Sequence, residues 1–326
     1  MGFITRYGSF WGMIPQTSGR VIWVAPSDTY TVEGRSYSAS DNNDGLSPER
    51  AVRTIDYSIS LTAANVGDVI VLLPGAHTQS SGTVTVDVAG ITITGIPQSA
   101  GQVGVRGNSG SKRNATRLTN TATAGIIFTV SAADFELAWV DLSPAAAGGR
   151  GVSLSTAADR FYMHDCTITL SAAVSVTTYG VFHPVDVTGG NEDLLVRNVT
   201  VVNGEGTTGA NGGAVVAAGT AYNWTIEHCS FEHKGTGAWA AAILTSNASS
   251  AGIFVRDCDF MTSSDATSVI TSCINSTAQT INGSTQVLRC YAPGVELVTG
   301  TASPDIILAE SYTCSAAGGA LATAGG

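Results

Sequence analysis

The 326-residue chain has little charge of either sign, and lysine is nearly missing from it. Only 12% of its residues are charged, and its two lysines are Lys112 and Lys234. Lys, Glu and Leu are strong helix formers, and their scarcity in this chain argues against a helical protein. The net charge is −10, and no basic cluster is longer than Lys112-Arg113. We therefore expect no nucleic-acid partner.

Long apolar runs are also missing. None approaches the length of about 20 residues that crosses a bilayer, so we expect no membrane partner. The N-terminus lacks the basic and apolar stretches of a secretory signal, which predicts synthesis in a cytoplasm. The six cysteines follow no CxxC spacing, and we predict neither a metal nor a cofactor.

One eight-residue motif recurs through the middle of the chain. Its copies are FELAWVDL (135–142), FYMHDCTI (161–168), LLVRNVTV (194–201), WTIEHCSF (224–231) and IFVRDCDF (253–260). Positions one, three, six and eight are apolar or Cys, whereas positions two and four are mostly polar. This alternation predicts a strand with one buried face, and the break at position five predicts a one-residue corner. The copies are 26, 33, 30 and 29 residues apart, which is typical of a coil with variable turns.

Weaker copies at 91–96, 286–290 and 305–308 extend the series to about eight coils, with an insertion around 100–115. Residues 41–78 form a different segment before the coils. There, Ser47 is a predicted N-cap, Pro48 begins a helix, and an amphipathic run leads to a strand at 69–73. Such a helix would cover the open end of the stack, as repeat proteins require.

The order D-x-x-D-G-x-S-P, T-I and G-D-x-I-x-x-x-P-G, followed by these coils, resembles the pectate-lyase-like right-handed parallel β-helix superfamily over roughly 41–310. The resemblance implies an all-β, single-stranded right-handed parallel β-helix with a short N-terminal capping helix. It leaves activity open, because the superfamily includes lyases, hydrolases, adhesins and phage tailspikes. We divide the chain into an anchor (1–24), a cap and first coil (25–80), coils (81–314) and a flexible tail (315–326).

Equivalent positions of successive coils should stack in columns. The outward position-four column predicts a surface ladder of His164, Arg197, Glu227 and Arg256, with Glu227 held between two arginines. The corner column contains Trp139, Asp165, Asn198, His228 and Asp257, which we interpret as residues that bond the turn backbone. The inward column contains Cys166, Cys229 and Cys258, for which buried reduced thiols are favoured over a zinc site or a disulfide.

The aligned face offers no clear catalytic pair, and we predict no catalytic residue. Glycoside hydrolysis needs two carboxyls about 5–10 Å apart, but Asp165 and Asp257 are three coils apart, roughly 14 Å. The loop acids Asp186, Glu192, Asp193, Glu205 and Asp265 remain open. The Asp41–Gly45 loop departs from the EF-hand pattern, so we interpret it as an Asx-rich turn and not a calcium site.

The N-terminus is unusually aromatic. Phe3, Tyr7, Phe10, Trp11 and Ile14 precede the cap and are predicted to bind a partner, although burial on the chain's own fold is the simpler alternative. Together with the quiet face, they favour a non-enzymatic phage virion protein on the capsid or tail surface, bound to other virion proteins. The alternatives are a polysaccharide-degrading lyase or hydrolase and a surface adhesin. Cell-surface glycans and a homotrimer are compatible with these hypotheses.

Overall fold

The computed structural model describes most of the chain. It covers residues 18–79, 82–96, 116–120, 126–144, 150–170, 182–184, 190–203, 215–217, 220–234, 239–245, 250–262, 270–275, 285–293, 296–299, 306–309, 312–314 and 322–323. The predicted partner-binding residues Phe3, Tyr7, Phe10, Trp11 and Ile14 lie outside these ranges, as does the insertion around 100–115.

Three long parallel sheets form the walls of the molecule. The first sheet contains β1 (Val21–Val24), β4 (Val69–Leu72), β7 (Thr92–Thr94), β10 (Glu136–Ala138), β13 (Tyr162–His164), β16 (Gly190–Glu192), β17 (Leu195–Arg197), β20 (Thr220–Glu227), β23 (Ala251–Arg256), β26 (Thr285–Leu288) and β29 (Ile306–Ala309). The second contains β5 (Gly75–Gln79), β8 (Thr116–Asn120), β11 (Asp141–Pro144), β14 (Thr167–Leu170), β18 (Thr200–Asn203), β21 (Ser230–His233), β24 (Asp259–Thr262), β27 (Tyr291–Pro293), β30 (Tyr312–Cys314) and β31 (Ala322–Thr323). The third contains β6 (Val84–Val86), β9 (Ile126–Val130), β12 (Arg150–Leu154), β15 (Phe182–Pro184), β19 (Val215–Ala217), β22 (Trp239–Thr245), β25 (Ile270–Asn275) and β28 (Glu296–Thr299).

Successive strands along the chain visit the three sheets in turn, so the chain winds as a parallel β-helix. Each strand pairs with the equivalent strand of the coil before and the coil after, as β10 does with β7 and β13. The predicted copies of the motif coincide with eight strands of the first sheet, from β7 to β29, and β1 and β4 add two turns before them. The predicted all-β parallel β-helix is therefore confirmed.

The recurring motif places its apolar positions inside the coil. Position one contributes Phe135, Phe161 and Trp224, each about 1% exposed, and position eight contributes Phe231 and Phe260. These side chains belong to one hydrophobic core that runs from β1 to β27. Alternation along each strand thus buries one face of the sheet and leaves the other face for polar residues.

The predicted one-residue corner after β10 and its equivalents is confirmed. The corner residues adopt a left-handed backbone conformation, with φ between 49° and 56°; they are Trp139, Asp165, Asn198, His228, Asp257 and Arg289. Each backbone N–H points along the stack, as Asp165 N–H does when it donates to the carbonyl of Arg197. Side chains add a second link, because Arg289 donates to both carboxylate oxygens of Asp257 at 2.8 Å.

A second left-handed column precedes position one of the motif, and the sequence reading missed it. It contains Asp134, Arg160, Asp193 and Asn223, with φ between 55° and 59°, and then Gly252 at 70°. Arg160 donates to both carboxylate oxygens of Asp134, at 2.6 and 2.7 Å. The Asp, Asn and Gly residues at this recurring position were the signal for a second turn.

The segment before the coils differs from its prediction in one detail. Pro48–Arg50 forms a single 3-10 turn, and the Ser47 side chain makes no capping hydrogen bond. The helix α1 (Ile55–Ser60) begins later, where the Thr54 side chain accepts a hydrogen bond from Tyr57 N–H. Because Ile55 and Ile59 are buried in the main core, α1 packs beside the first strands. Its role as the cover of the open end remains a prediction.

A hairpin lies over the outer side of the first strands. Strands β2 (Thr29–Val32) and β3 (Arg35–Ser38) pair antiparallel. Tyr30 packs there with Trp23, Val69 and Val71 in a second, smaller core, so both faces of β4 are buried. The Tyr30 hydroxyl donates to the Pro48 carbonyl at 2.7 Å.

Two segments of the predicted division, the anchor and the tail, contain regular structure. Residues 21–24 of the proposed anchor segment form β1, which pairs with β4 and carries the buried Ile22 and Val24. In the proposed tail, β31 pairs antiparallel with β30. None of the helices in the described ranges is long and apolar enough to cross a membrane.

The predicted column of buried thiols is present. Cys166, Cys229, Cys258 and Cys290 are at most 2% exposed, and no disulfide joins cysteines of the described residues. Each thiol donates to a carbonyl of the preceding coil, as Cys229 Sγ does to Val196 at 3.7 Å. Burial raises the pKa of Cys166 and of Cys258, which keeps both thiols protonated.

A buried histidine makes the fold sensitive to acid. His77 is 2% exposed, and its Nε2 lies 2.9 Å from the Leu73 carbonyl oxygen. Burial lowers the pKa of His77 from 6.5 to about 4, an effect that exceeds the opposing influence of this hydrogen bond. The folded state therefore holds His77 neutral at a pH where the unfolded chain would bind a proton.

The free energy of unfolding should therefore fall as the pH drops from 6.5 towards 4, and His77 should account for about 2 kcal/mol of the loss between pH 7 and pH 4.5. Urea denaturation of the wild type and of His77→Gln at both pH values measures this contribution. His228→Gln, a change at an exposed corner, is the matched control. An equal loss in the wild type and in His77→Gln would contradict the prediction.

Candidate functional site

The outer face of the first sheet carries several hydrogen-bonded ionisable side chains near the middle of the stack. Strand register places the position-four residues directly beside one another, in the order Ala138, His164, Arg197, Glu227 and Arg256. The predicted column is therefore confirmed. The hairpin covers this face at β1 and β4, whereas polar side chains are partly exposed on it from β10 onward.

Glu227 is held between two arginines, as predicted. Arg256 donates through Nε at 2.6 Å and through Nη2 at 2.5 Å to the Oε2 atom of Glu227. Arg197 Nε lies 3.4 Å from the Oε1 atom of Glu227. The Glu227 side chain is 9% exposed, whereas those of Arg197 and Arg256 are 54% and 47% exposed. The carboxylate is thus buried under two guanidinium groups that still face solvent.

This asymmetry predicts unequal effects of removing the two arginines. Arg256→Ala should lower the free energy of unfolding by about 1–2 kcal/mol, because a buried carboxylate loses its two short hydrogen bonds. Arg197→Ala should cost less than about 1 kcal/mol, as is usual for a longer, exposed pair. Urea denaturation of both variants tests the difference. A larger loss from Arg197→Ala would contradict it.

His164 does not bond to this ladder but to two acids. Its Nε2 lies 2.9 Å from Oε1 of Glu136, and its Nδ1 lies 2.8 Å from Oδ2 of Asp165. We call Glu136, His164 and Asp165 the acid–histidine cluster. The imidazole ring separates the two carboxylates, and the three side chains are between 16% and 28% exposed.

Neighbouring coils fix the position of each member of the acid–histidine cluster. Thr92 on the coil before donates to Glu136 Oε2 at 3.0 Å, and the Asn198 amide on the coil after donates to Asp165 Oδ1. The Tyr162 ring stacks on the His164 ring, with centroids 4.5 Å apart. The cluster is therefore pre-organised by the coil before it and the coil after it.

The electrostatics of the cluster favour an imidazolium between two carboxylates. Burial alone would lower the pKa of His164, but hydrogen bonds to Asp165 and Glu136 outweigh it and raise the pKa from 6.5 to about 9. The hydrogen bond from His164, with a smaller one from Thr92, holds the pKa of Glu136 below its usual value in spite of partial burial. At neutral pH the cluster thus offers a proton donor hydrogen-bonded to a proton acceptor.

Sequence reasoning missed this cluster because it compared acids within one column. Glu136 is a position-two residue and Asp165 a corner residue of the next coil, so their proximity depends on combining two columns. Glu136 and Asp165 lie on either side of one imidazole, an arrangement that comparing acids within one column does not reveal. Asp257, the acid considered earlier, is instead bonded to Arg289.

The remaining candidate acids either lie in corners and strands of the coil or fall outside the described residues. Asp193 accepts a hydrogen bond from Asn223 at 3.2 Å in the second corner column, and Glu192 ends β16. Asp186, Glu205 and Asp265 lie outside the described residues. In the Asp41–Gly45 loop, the Asp41 carboxylate accepts from the N–H groups of Arg53 and Thr54 at 2.9 Å. Metal-holding groups of three or more His, Cys, Asp or Glu side chains are not found in the described ranges.

Comparison with known proteins reveals relatives by fold only. No protein-family model matches the chain, and no curated protein matches it. Among solved structures, pectin methylesterase PemA from Erwinia chrysanthemi has a TM-score of 0.57 at 13% identity, over 94% of this chain and 92% of the other. A pectin methylesterase in complex with hexasaccharide VII has a TM-score of 0.55 at 12% identity, with the same coverage. The pectin methylesterase of Aspergillus niger has 0.54 at 15%, over 94% and 88%.

These similarities confirm the right-handed parallel β-helix fold. They contradict the functional prediction made from the sequence. The structures that resemble the chain are pectin-processing enzymes, so the hypothesis of a non-enzymatic phage virion protein is wrong. The face that was expected to be chemically quiet carries the acid–histidine cluster.

Proposed function

We propose that this protein is a polysaccharide-processing enzyme that removes ester groups from a pectin-like acidic polysaccharide on the outer face of the first sheet. The observation that carries the proposal is the acid–histidine cluster, which joins a proton donor and a proton acceptor beside two exposed arginines. The pectin methylesterases of similar fold support the choice of substrate class.

The two arginines suit a polymer that carries carboxylates. Arg197 and Arg256 are two coils apart along the sheet, about 10 Å, and about half of each side chain faces solvent. A guanidinium has five N–H donors in a planar fork, so donors remain after the bonds to Glu227. An extended acidic chain that lies along the coil axis could contact both arginines and reach His164 on the adjoining coil.

Ester hydrolysis needs a base for the attacking water and an acid for the leaving group. The Glu136 carboxylate accepts a proton from water as the oxygen attacks the ester carbonyl. The bond from that carbon to the alkoxy oxygen then breaks, and His164 gives its proton to the departing alkoxide to form the alcohol. Glu136 finally returns the proton to His164 across their 2.9 Å hydrogen bond, which restores both groups.

Methanol release from methyl-esterified pectin tests the proposal. We expect release by the wild-type chain and unchanged release by Arg160→Ala, whose side chain lies in the second corner column and bonds to Asp134. Polymer length is measured in the same samples. Cleavage of the backbone without methanol would overturn de-esterification in favour of a lyase or hydrolase, and the absence of both would overturn the enzymatic proposal.

A further inference from the structure

Trp139 is an anomaly in the first corner column. The equivalent positions carry Asp165, Asn198, His228, Asp257 and Arg289, all of them polar. Asn, Asp and His tolerate the left-handed conformation better than bulky residues do, and a tryptophan at φ 56° is an outlier. A side chain of this size in that conformation costs about 1–3 kcal/mol.

Contacts with both neighbouring coils hold the Trp139 backbone in this conformation. Its N–H donates to the His164 carbonyl of the next coil at 3.4 Å. On the coil before, Gly95 N–H donates to the Ala138 carbonyl at 2.9 Å. A Cβ atom added at Gly95 would lie only 2.1 Å from the Trp139 carbonyl oxygen, so the two main chains are in direct contact. The corner is thus fixed from both sides, and the tryptophan stays there at a cost in stability.

Packing in the core does not explain the choice of residue. Trp139 is partly exposed, unlike Trp23 and Trp224, which are at most 2% exposed. It also breaks the side-chain ladder of the column, because an indole cannot replace the carboxylate and amide groups that link Asp165 to Asn198. A costly, partly exposed residue that breaks a local pattern is more readily explained by function than by stability.

The place of Trp139 indicates what it contacts. It follows Ala138, the strand partner of His164, and it precedes Asp165 in the corner column. Trp139 lies on the same coil as Glu136, and one coil, about 4.8 Å, separates it from His164 and Asp165. The indole face is a broad apolar platform, suited to the C–H face of a sugar ring.

We propose that Trp139 is a stacking site for the sugar residue next to the one that reacts. This inference rests on the proposed function and adds a binding residue to it. It gives the site a direction, because a polymer that contacts Arg256 and Arg197 must continue past His164 to the coil of Glu136 to cover the indole. Trp139 acts in binding and touches neither the ester nor the attacking water.

The test is the variant Trp139→Asn, which replaces a strained residue with one that favours the left-handed conformation. We expect thermal stability equal to or above that of the wild type, because the strain is relieved. Affinity for a pectin-derived hexasaccharide, measured by calorimetry, should fall by about tenfold. The hexasaccharide should also change the tryptophan fluorescence of the wild type but not of the variant. The control is His228→Asn, which makes the same kind of change three coils away in the same corner column. Its affinity should equal that of the wild type.

The outcomes separate this inference from the proposed function. Equal affinity in the wild type and Trp139→Asn would overturn the role of Trp139 alone. Lower stability in Trp139→Asn would overturn the argument from strain on which that role depends. If the wild-type chain neither binds the hexasaccharide nor releases methanol from pectin, the proposed function fails and this inference fails with it.

Discussion

Replacing Glu136 with Gln is expected to lower the rate of methanol release from methyl-esterified pectin by about 10²- to 10⁴-fold, the usual contribution of a general base. The amide keeps the size of the side chain, so Thr92 and His164 retain a neighbour of similar shape. The Gln amide, unlike the Glu136 carboxylate, cannot accept a proton from water. The change removes the base and one of the two carboxylates that keep His164 protonated, so turnover should fall while the chain still folds.

The pH profile of the wild type provides a second measurement of the same pair. Activity requires ionised Glu136 and protonated His164, so the rate should fall on the alkaline side near the His164 pKa of about 9. On the acid side it should persist below the usual titration range of glutamate, because the pKa of Glu136 is lowered. Turnover by Glu136→Gln equal to that of the wild type, in folded protein, would contradict the assignment of the base.

Phe231→Ala is expected to cost about 3–5 kcal/mol of unfolding free energy, the largest stability effect we predict. Phe231 on β21 is 1% exposed, and Phe260 on the next coil is completely buried. The two rings stack with centroids 5.1 Å apart and planes at 9°. Because the two rings lie on adjacent coils, the cavity left by the Phe231 ring cannot close unless the backbone of both coils moves.

Tyr291→Ala is the matched control for Phe231→Ala. Tyr291 begins β27 of the following coil and is 41% exposed, so losing its ring should change the free energy of unfolding by no more than about 0.5 kcal/mol. Urea denaturation of both variants gives the comparison. Similar losses from the two changes would show that the interior of the coil is not the main source of stability.

Much of the wall of the coil could be predicted from the sequence. Phe135, Met163 and Ile226 are buried because alternation repeats in every copy of the motif, and the break at position five marks the corner. The pairs Arg197–Glu227 and Glu227–Arg256 follow from aligning those copies. The segment before the coils was harder to predict, since the start of α1 depends on Thr54 and on packing against β1 rather than on a periodic pattern.

The candidate site was predictable only in part. His164 was assigned to the correct column, but its partners come from two others, Glu136 at position two and Asp165 at the corner. Reading one column at a time cannot reveal contacts that run diagonally across the sheet. The raised pKa of His164 likewise depends on distances between side chains, and the sequence contains no direct sign of them.

The way the strands pair also determines how the molecule should fail. Among the described residues, each strand of the first sheet from β4 to β26 pairs with strands of the turn before and the turn after, so stability depends on contacts between neighbouring turns. Unfolding should begin at the terminal turns, which have a neighbour on one side only, and advance inward one turn at a time. The acid–histidine cluster is on β10 and its neighbouring turn, far from the C-terminal end. Proteolysis that shortens the chain from that end should therefore remove the turns of β29 and β26, which follow Arg256, before it lowers turnover.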